Sequence, residues 1–134
     1  KMKNVLEVGT GCGYQTSILS KLFTSVTTIE RIKSLHLTAK KRLSDLNYNN
    51  ITFLHGDGFY GHKSNSPYDA IIMTASPSEI PSNLVKQLKP SGRIALPLNI
   101  NGIQKLFRIK NTKNGLLKKE VDDVLFVPML EGIS

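Results

Sequence analysis

Cysteine is nearly absent from this sequence of 134 residues: Cys12 is the single example, so no disulfide can form within the chain. So little cysteine is typical of a reducing compartment, and we expect a cytoplasmic location. No apolar run is long enough to cross a membrane, and the N-terminus does not read as a cleaved leader. Acidic residues are scarce, with 10 Asp and Glu against 18 Lys and Arg, which gives a net charge of +8. That charge favours anionic partners.

The length suits one compact domain, so we expect residues 1–134 to form a single folded unit. The apolar fraction of 40% is enough to build a core. Short apolar segments predict strands at 4–8, 26–29, 51–54, 70–73 and 94–98. Apolar residues spaced by three and four predict helices at 14–23, 32–47 and 81–88. Strands that alternate with helices predict an α/β fold with a mostly parallel, twisted sheet and helices on both faces.

The rhythm changes after the fifth strand. Lys105–Ile109 and Val121–Val127 are predicted strands without a long helix between them, and Asn114 and Gly115 lie in the connection. Asn-Gly is typical of a tight hairpin turn. The sequence therefore predicts a C-terminal antiparallel hairpin. Within the first helix, Tyr14, Ile18 and Leu22, with Leu19 beside them, form an apolar stripe that we expect to face the core.

A glycine-rich loop follows the first strand. Gly9, Gly11 and Gly13 alternate with Thr10 and Cys12, and a predicted helix starts immediately afterwards. Glycines at these positions allow a sharp turn and let a ligand lie against bare main chain. Such a loop also occurs as a plain strand-to-helix turn, or as a site for NAD or phosphate, so it needs supporting residues.

Three acids supply that support. Glu30 ends the second strand, where a carboxylate can accept hydrogen bonds from both ribose hydroxyls of an adenosine ligand. Asp57, followed by Gly58, comes after the third strand and can accept from an adenine amino group. Glu7 precedes the glycine loop, where it would repel a pyrophosphate but could hold an ammonium group. S-adenosylmethionine carries an α-ammonium and no phosphate, so we expect it to bind here rather than NAD.

The chain resembles the protein-L-isoaspartate O-methyltransferases. The resemblance is carried by the segment 5–16, by His55-Gly56-Asp57-Gly58, by 68–81, by the turn 88–93 and by 126–130. It spans essentially the whole chain and implies a Rossmann-like class I methyltransferase fold. The cofactor-binding residues that we expect are Glu7, Gly9, Thr10, Gly11, Gly13, Glu30, Asp57 and Gly58, with no metal.

The resemblance also implies an activity: methyl transfer from S-adenosylmethionine to the free carboxylate of L-isoaspartyl residues in damaged proteins. The resulting ester cyclises to a succinimide, which can reopen to aspartate. The family has an N-terminal region before this motif, with hydroxyl residues over the substrate carboxylate. This chain lacks it, so we expect an N-terminally truncated core whose catalytic residues lie upstream of Lys1. Expected partners are isoaspartyl peptides and proteins, with no specific nucleic acid and no membrane.

Two alternatives stay open. The chain could belong to another class I methyltransferase that acts on a small molecule or a nucleic acid, or it could be an inactive cofactor-binding fragment. Against a DNA-base enzyme, the fourth strand is followed by Thr74 to Pro77 and not by the Pro-Pro-aromatic segment that holds a flipped base. The histidines at 36, 55 and 62 and Cys12 lack the spacing of metal ligands, so we expect structural or solvated roles for them.

Overall fold

The computed structural model describes residues 2–134. The larger strands are β1 Asn4–Val8, β2 Ser25–Glu30, β3 Ile51–His55, β4 Tyr68–Met73, β6 Leu88–Ile100, β7 Ile103–Thr112 and β8 Gly115–Asp123. Two short strands are β5 Ala75–Ser76 and β9 Val127–Pro128. The helices are α1 Tyr14–Leu22, α2 Lys33–Asp45 and α3 Ser82–Lys86, with 3-10 turns at Gly58–Tyr60 and Lys63–Asn65.

Seven strands form one sheet in the order β3-β2-β1-β4-β6-β7-β8. The four pairs β3-β2, β2-β1, β1-β4 and β4-β6 are parallel. At one edge of the sheet, β7 pairs with β6 and β8 pairs with β7, both in antiparallel orientation. The predicted parallel sheet with an antiparallel C-terminal hairpin is confirmed. Chain order reverses direction at β1, because β2 and β3 lie on one side of it and β4 on the other. Open α/β sheets bind ligands at such a switch point, outside the carboxyl ends of the strands.

Helices cover both faces of the sheet, as expected. On one face, α1 contributes Leu19 to a cluster with Val5 and Val26. On the other, α3 contributes Leu84 to a larger cluster that includes Leu6 and Ile71. Residues 5 and 6 pack on opposite faces because successive side chains of a strand alternate. The sheet is therefore a shared middle layer, and its strand ends are held rigidly.

The predicted apolar stripe of α1 is wrong for three of its four residues. Tyr14, Ile18 and Leu22 are 73%, 41% and 55% exposed, whereas Thr16 and Leu19 are buried. The reason lies beneath the helix, where the hydroxyl of Thr16 hydrogen bonds to the buried carboxylate of Glu7. A buried charge must be hydrogen-bonded, so this partner turns a threonine inward and moves the apolar stripe toward the surface.

The buried face of α2 is also narrower than its apolar pattern predicts. Ala39 and Leu43 are buried as expected, but Leu46 is 63% exposed and His36 takes an inward position. With 13 residues, α2 is the longest of the described helices. None of the helices in residues 2–134 is long and apolar enough to cross a membrane.

Two boundaries in the C-terminal half differ from expectation. The predicted turn at 89–92 lies within β6, where Leu88 pairs with Tyr68 and Arg93 with Ala70, so the intervening residues bulge from the ladder. The predicted strand at 121–127 instead starts at Gly115 and ends at Asp123. It lies at the edge of the sheet, and all nine of its residues are exposed. An edge strand has no buried face to impose an apolar alternation, which explains the misplaced prediction.

Candidate cofactor site

A cavity of about 460 Å³ opens at the carboxyl ends of the central strands. This volume falls within the range typical of small-molecule sites. The lining residues come from the ends of β1, β2 and β4, from α2, from the 3-10 turn after β3 and from the C-terminal segment. They are Val8, Gly9, Gly11, Ile29, Glu30, Arg31, Ile32, Leu35, Gly58, Thr74, Ala75, Val127, Pro128, Met129 and Leu130. Most of them are apolar, with a small number of acceptors and donors among them.

The glycine loop forms one wall of this cavity. Gly9 has φ +103, and a Cβ atom placed on it would lie 2.1 Å from the hydroxyl oxygen of Thr74. That hydroxyl donates to the carbonyl oxygens of Val8, at 3.1 Å, and Gly9, at 3.0 Å. Only glycine fits this position, because any side chain would both strain the backbone and push the Thr74 hydroxyl away. Gly11, with φ +55, has nothing within 4 Å of its missing side chain.

Glu30 is held by backbone donors on either side. Its Oε1 accepts from the N–H of Gly11 at 2.9 Å, and its Oε2 accepts from the N–H of Ile32 at 3.0 Å. The residue is only 6% exposed yet lines the cavity. A carboxylate has about four acceptor sites, so two remain after these bonds. The arrangement can accept two further hydrogen bonds from a ligand diol.

Glu7 lies beneath the loop and is absent from the residues that line the cavity. It is fully buried and accepts from Thr28 Oγ1 at 2.7 Å, Thr16 Oγ1 at 2.5 Å and Gln15 Nε2 at 3.0 Å. Burial raises the pKa of this carboxyl, while the three hydrogen bonds act in the opposite direction. Burial is the larger effect, so the pKa of Glu7 lies above its ordinary value, although three protein donors support the charged form.

Asp57 follows β3 and binds two backbone N–H groups. Its Oδ1 accepts from Phe59 at 2.9 Å, which starts a 3-10 turn, and its Oδ2 accepts from Gly132 at 2.8 Å. The neighbouring Gly58 lines the cavity, and a Cβ atom on it would lie 2.3 Å from Val8 Cγ1. Acceptor capacity remains on Asp57 for one more donor, such as an amino group.

The segment 127–134, here named the C-terminal strap, closes the far side of the cavity. It begins with β9, which pairs in parallel with β5. It then binds Asp57 through Gly132 and ends at Ser134, whose N–H donates to the carbonyl of Arg31 at 2.7 Å and whose carbonyl accepts from Lys33 at 2.8 Å. The predicted strand at 121–127 reaches only the first residue of this segment, because the anchors of the segment are long-range backbone bonds that leave no pattern in the sequence.

The eight expected cofactor residues therefore divide into two groups. Those that line the cavity are Gly9, Gly11, Glu30 and Gly58. Those that lie beside or beneath it are Glu7, Thr10, Gly13 and Asp57. Thr10 is buried with its hydroxyl 2.6 Å from that of Thr28, and Gly13 donates its N–H to the carbonyl of Thr10 at 3.0 Å. Gly13 instead lines a neighbouring pocket with Cys12 and Arg42, and a Cβ atom on it would face Leu43 of α2.

None of the histidines at 36, 55 and 62 lines this cavity. The rings of His36 and His55 stack with their centroids 5.9 Å apart, and His55 Nε2 lies 3.0 Å from the carbonyl oxygen of Arg31. Burial, Lys40 and His55 together lower the pKa of His36. Within residues 2–134 there is no group of three or more His, Cys, Asp or Glu side chains that could hold a metal ion. Cys12 is exposed.

Comparison with known proteins gives one consistent family. A family model described as protein-L-isoaspartate(D-aspartate) O-methyltransferase matches residues 1–134. The protein-L-isoaspartate O-methyltransferase of Pseudomonas paraeruginosa is 43% identical over 131 residues, which is 98% of this chain and 62% of the relative. That of Pseudoalteromonas atlantica is 45% identical over 130 residues, or 97% of this chain and 61% of the relative. The chain thus spans about 62% of the length of the curated relatives that it matches.

Solved structures agree. One protein-L-isoaspartate O-methyltransferase superposes with a TM-score of 0.93 at 29% identity, covering 99% of this chain and 44% of that one. A second, from Plasmodium falciparum and described as a putative member of the same family in complex with S-adenosyl-L-homocysteine, has a TM-score of 0.78 at 27% identity. It covers 96% of this chain and 66% of the other.

Proposed function

Because the chain belongs to the protein-L-isoaspartate(D-aspartate) O-methyltransferase family, we propose that it is the cofactor-binding core of an enzyme that repairs damaged proteins. The enzyme moves a methyl group from S-adenosylmethionine to the free carboxylate of L-isoaspartyl residues. The observation that carries the proposal is the pairing of Glu30 with the glycine loop at one cavity, since together they present acceptors to an adenosine ligand.

The residues fit this cofactor. Glu30 retains two acceptor sites for the ribose hydroxyls, and Asp57 retains capacity for the adenine amino group. Gly11, with nothing within 4 Å of its missing side chain, leaves bare main chain against which the methionine portion can lie. The C-terminal strap contributes apolar wall from Val127 to Leu130. The Plasmodium falciparum relative was solved in complex with S-adenosyl-L-homocysteine, the demethylated cofactor.

The chemistry asks little of acidic or basic side chains. When bound, the cofactor supplies a methyl group on a positively charged sulfur; a bond forms between the carboxylate oxygen and the methyl carbon while the sulfur–methyl bond breaks, leaving a neutral thioether. A carboxylate is already ionised and nucleophilic at neutral pH, so no general base is required. In-line placement of oxygen, carbon and sulfur supplies most of the acceleration. The chain's part is to hold the cofactor still and exclude water around it.

We propose that the groups positioning the acceptor carboxylate come from the additional length of the relatives, of which this chain covers about 62%. The substrate partners are then isoaspartyl peptides, whose acidic character suits a chain of net charge +8. We also propose that the protein is cytoplasmic, as expected from its low cysteine content.

A methylation assay tests the proposal. The substrates are one peptide in isoaspartyl and aspartyl forms, and the proteins are this chain and a longer version that matches the full length of the relatives. We expect the longer protein to methylate the isoaspartyl peptide only, and this chain to bind S-adenosylhomocysteine with little turnover. Equal turnover of both peptides would contradict the isoaspartyl assignment. Absence of cofactor binding by both proteins would contradict the methyltransferase assignment itself.

A further inference from the structure

We propose that Glu7 is a positioning residue, a buried acceptor that orders the glycine loop through Thr28 and Thr10, and that it does not touch the ammonium group of the cofactor. This inference rests on the proposed function, because it assigns a role within the same cofactor site. It replaces the direct contact that the sequence led us to expect for this acid.

The location of Glu7 is the first argument. The residue is fully buried, and it is not among the residues that line the cavity. It pairs in register with Thr28 on the adjacent strand, so the two side chains lie side by side on one face of the sheet. That face is the one covered by α1, which adds Thr16 and Gln15 as donors. The carboxylate thus points into the protein, between sheet and helix.

The direction of the hydrogen bonds is the second argument. An ionised carboxylate is only an acceptor, so the hydroxyl proton of Thr28 is donated to Glu7 Oε1. A hydroxyl has one proton, which leaves Thr28 as the acceptor in its 2.6 Å contact with Thr10. The bonds therefore run in one direction, from Thr10 to Thr28 to Glu7. The buried charge fixes the orientation of both hydroxyls.

This chain of bonds ends in the loop that forms the site. Thr10 accepts the N–H of Gly13 through its carbonyl at 3.0 Å, which closes the turn. Its neighbour Gly11 donates its N–H to Glu30 at 2.9 Å. Glu7 is thereby connected to the proposed ribose acceptor without contacting the cavity. A loop that loses its anchor at Thr10 also loses the geometry of Gly11 against Glu30.

Glu7→Gln is the informative substitution, because an amide of the same shape carries an N–H₂ group. The amide of Gln15 can rotate to accept from that group, but the hydrogen bonds from Thr16 and Thr28 lose the charge that strengthens them. Two ligands distinguish the two roles: S-adenosylhomocysteine, and an analogue in which the α-amino group is replaced by hydrogen. If Glu7 acts through the loop, the substitution weakens both ligands by a similar factor of about ten. Equal affinity of wild type and variant for the analogue, with loss only for S-adenosylhomocysteine, would overturn the proposal.

Thr28 provides a second test that leaves the carboxylate in place. Thr28→Val removes the linking hydroxyl at nearly constant volume, and we expect it to reproduce most of the loss caused by Glu7→Gln. Thr28→Ser keeps the hydroxyl and should restore affinity. Thr27→Val is the matched control, because the neighbouring Thr27 is equally buried but faces the other side of the sheet, where it accepts from Asn65. Undiminished affinity in Thr28→Val would overturn the proposal.

Amide hydrogen exchange without ligand gives a readout that needs no cofactor. We expect faster exchange at residues 10–13 in Glu7→Gln and in Thr28→Val than in wild type or Thr27→Val. Unchanged exchange in both variants would contradict the positioning role. A wild-type protein that shows protection of the loop but no affinity for S-adenosylhomocysteine would instead contradict the proposed function, so the two failures are distinguishable.

Discussion

The backbone N–H of Gly11 donates a 2.9 Å hydrogen bond to the carboxylate of Glu30, so that the glycine loop after β1 and the acid at the end of β2 form one structure. Each therefore depends on the other for its position. A ligand that binds the acid also meets the loop in a fixed arrangement, which lowers the cost of ordering the site when the ligand arrives.

Removal of this acid should weaken cofactor binding strongly. In Glu30→Ala, two ribose hydrogen bonds to a charged group are lost, each worth about 1.5–3 kcal/mol at most. Isothermal titration with S-adenosylhomocysteine measures the loss. Glu79→Ala is the control, because Glu79 is exposed and does not line the cavity. Equal affinities of the Glu30 variant and wild type would exclude the ribose assignment.

A methyl group at Gly9 should disturb the site sterically. Gly9→Ala places a Cβ atom 2.1 Å from the Thr74 hydroxyl at φ +103, so we expect loss of both cofactor affinity and stability. Gly102→Ala separates the two causes, because Gly102 has φ +83 with nothing within 4 Å. Backbone strain alone costs roughly 1–2 kcal/mol. Thermal denaturation should therefore show a larger loss for Gly9→Ala; equal losses would mean that the contact with Thr74 relaxes freely.

Shortening the C-terminal strap should speed cofactor release. Deletion of 131–134 removes the bond from Gly132 to Asp57 and both bonds between Ser134 and the segment Arg31–Lys33. The cavity wall from Val127 to Leu130 stays in the chain and keeps its pairing with β5, but it loses these anchors on its C-terminal side. We expect the dissociation rate of S-adenosylhomocysteine, measured by stopped-flow competition, to rise several-fold. An unchanged rate would show that β9 alone holds the strap.

Stability should fall on mild acidification because of His36. Burial, Lys40 and His55 lower the pKa of His36 in the folded state below its ordinary value of 6.5, while Glu30 acts in the opposite direction. The unfolded chain then binds more protons than the folded chain just below pH 6.5, so the free energy of unfolding decreases as pH falls through that window. Melting temperatures between pH 7.5 and 5 should fall less in His36→Gln than in wild type. His62→Gln should follow wild type, and parallel curves for His36→Gln would refute the assignment.

The sequence predicted the residues whose roles are local. Glu30, Gly9, Gly11 and Gly58 follow strands in a spacing that predicts a crevice, and all four line one cavity, whereas Gly13 lines a neighbouring pocket. The prediction of the buried face failed for α1, because the apolar periodicity places Tyr14 in the core, whereas in the structure Tyr14 is exposed and Thr16 is buried. The hydrogen bond from Thr16 to Glu7 decides the orientation, and no apolar pattern contains it. The position of the strap could not be predicted for a related reason. Gly132 binds Asp57, 75 positions earlier in the chain, through its backbone N–H, and such a bond does not depend on a particular side chain.

The C-terminal strap also bears on synthesis of the protein. Val127 to Leu130, which close the cavity, are translated last among the lining residues, about 100 residues after the glycine loop and Glu30. At a translation rate of about 5–20 residues per second, the loop is synthesised several seconds or longer before the residues that complete its cavity. A ligand stabilises only the state that binds it. During synthesis, the buried acids must therefore be held in place without help from the cofactor. The hydrogen bonds that Gln15, Thr16 and Thr28 donate to Glu7 do this for one of them.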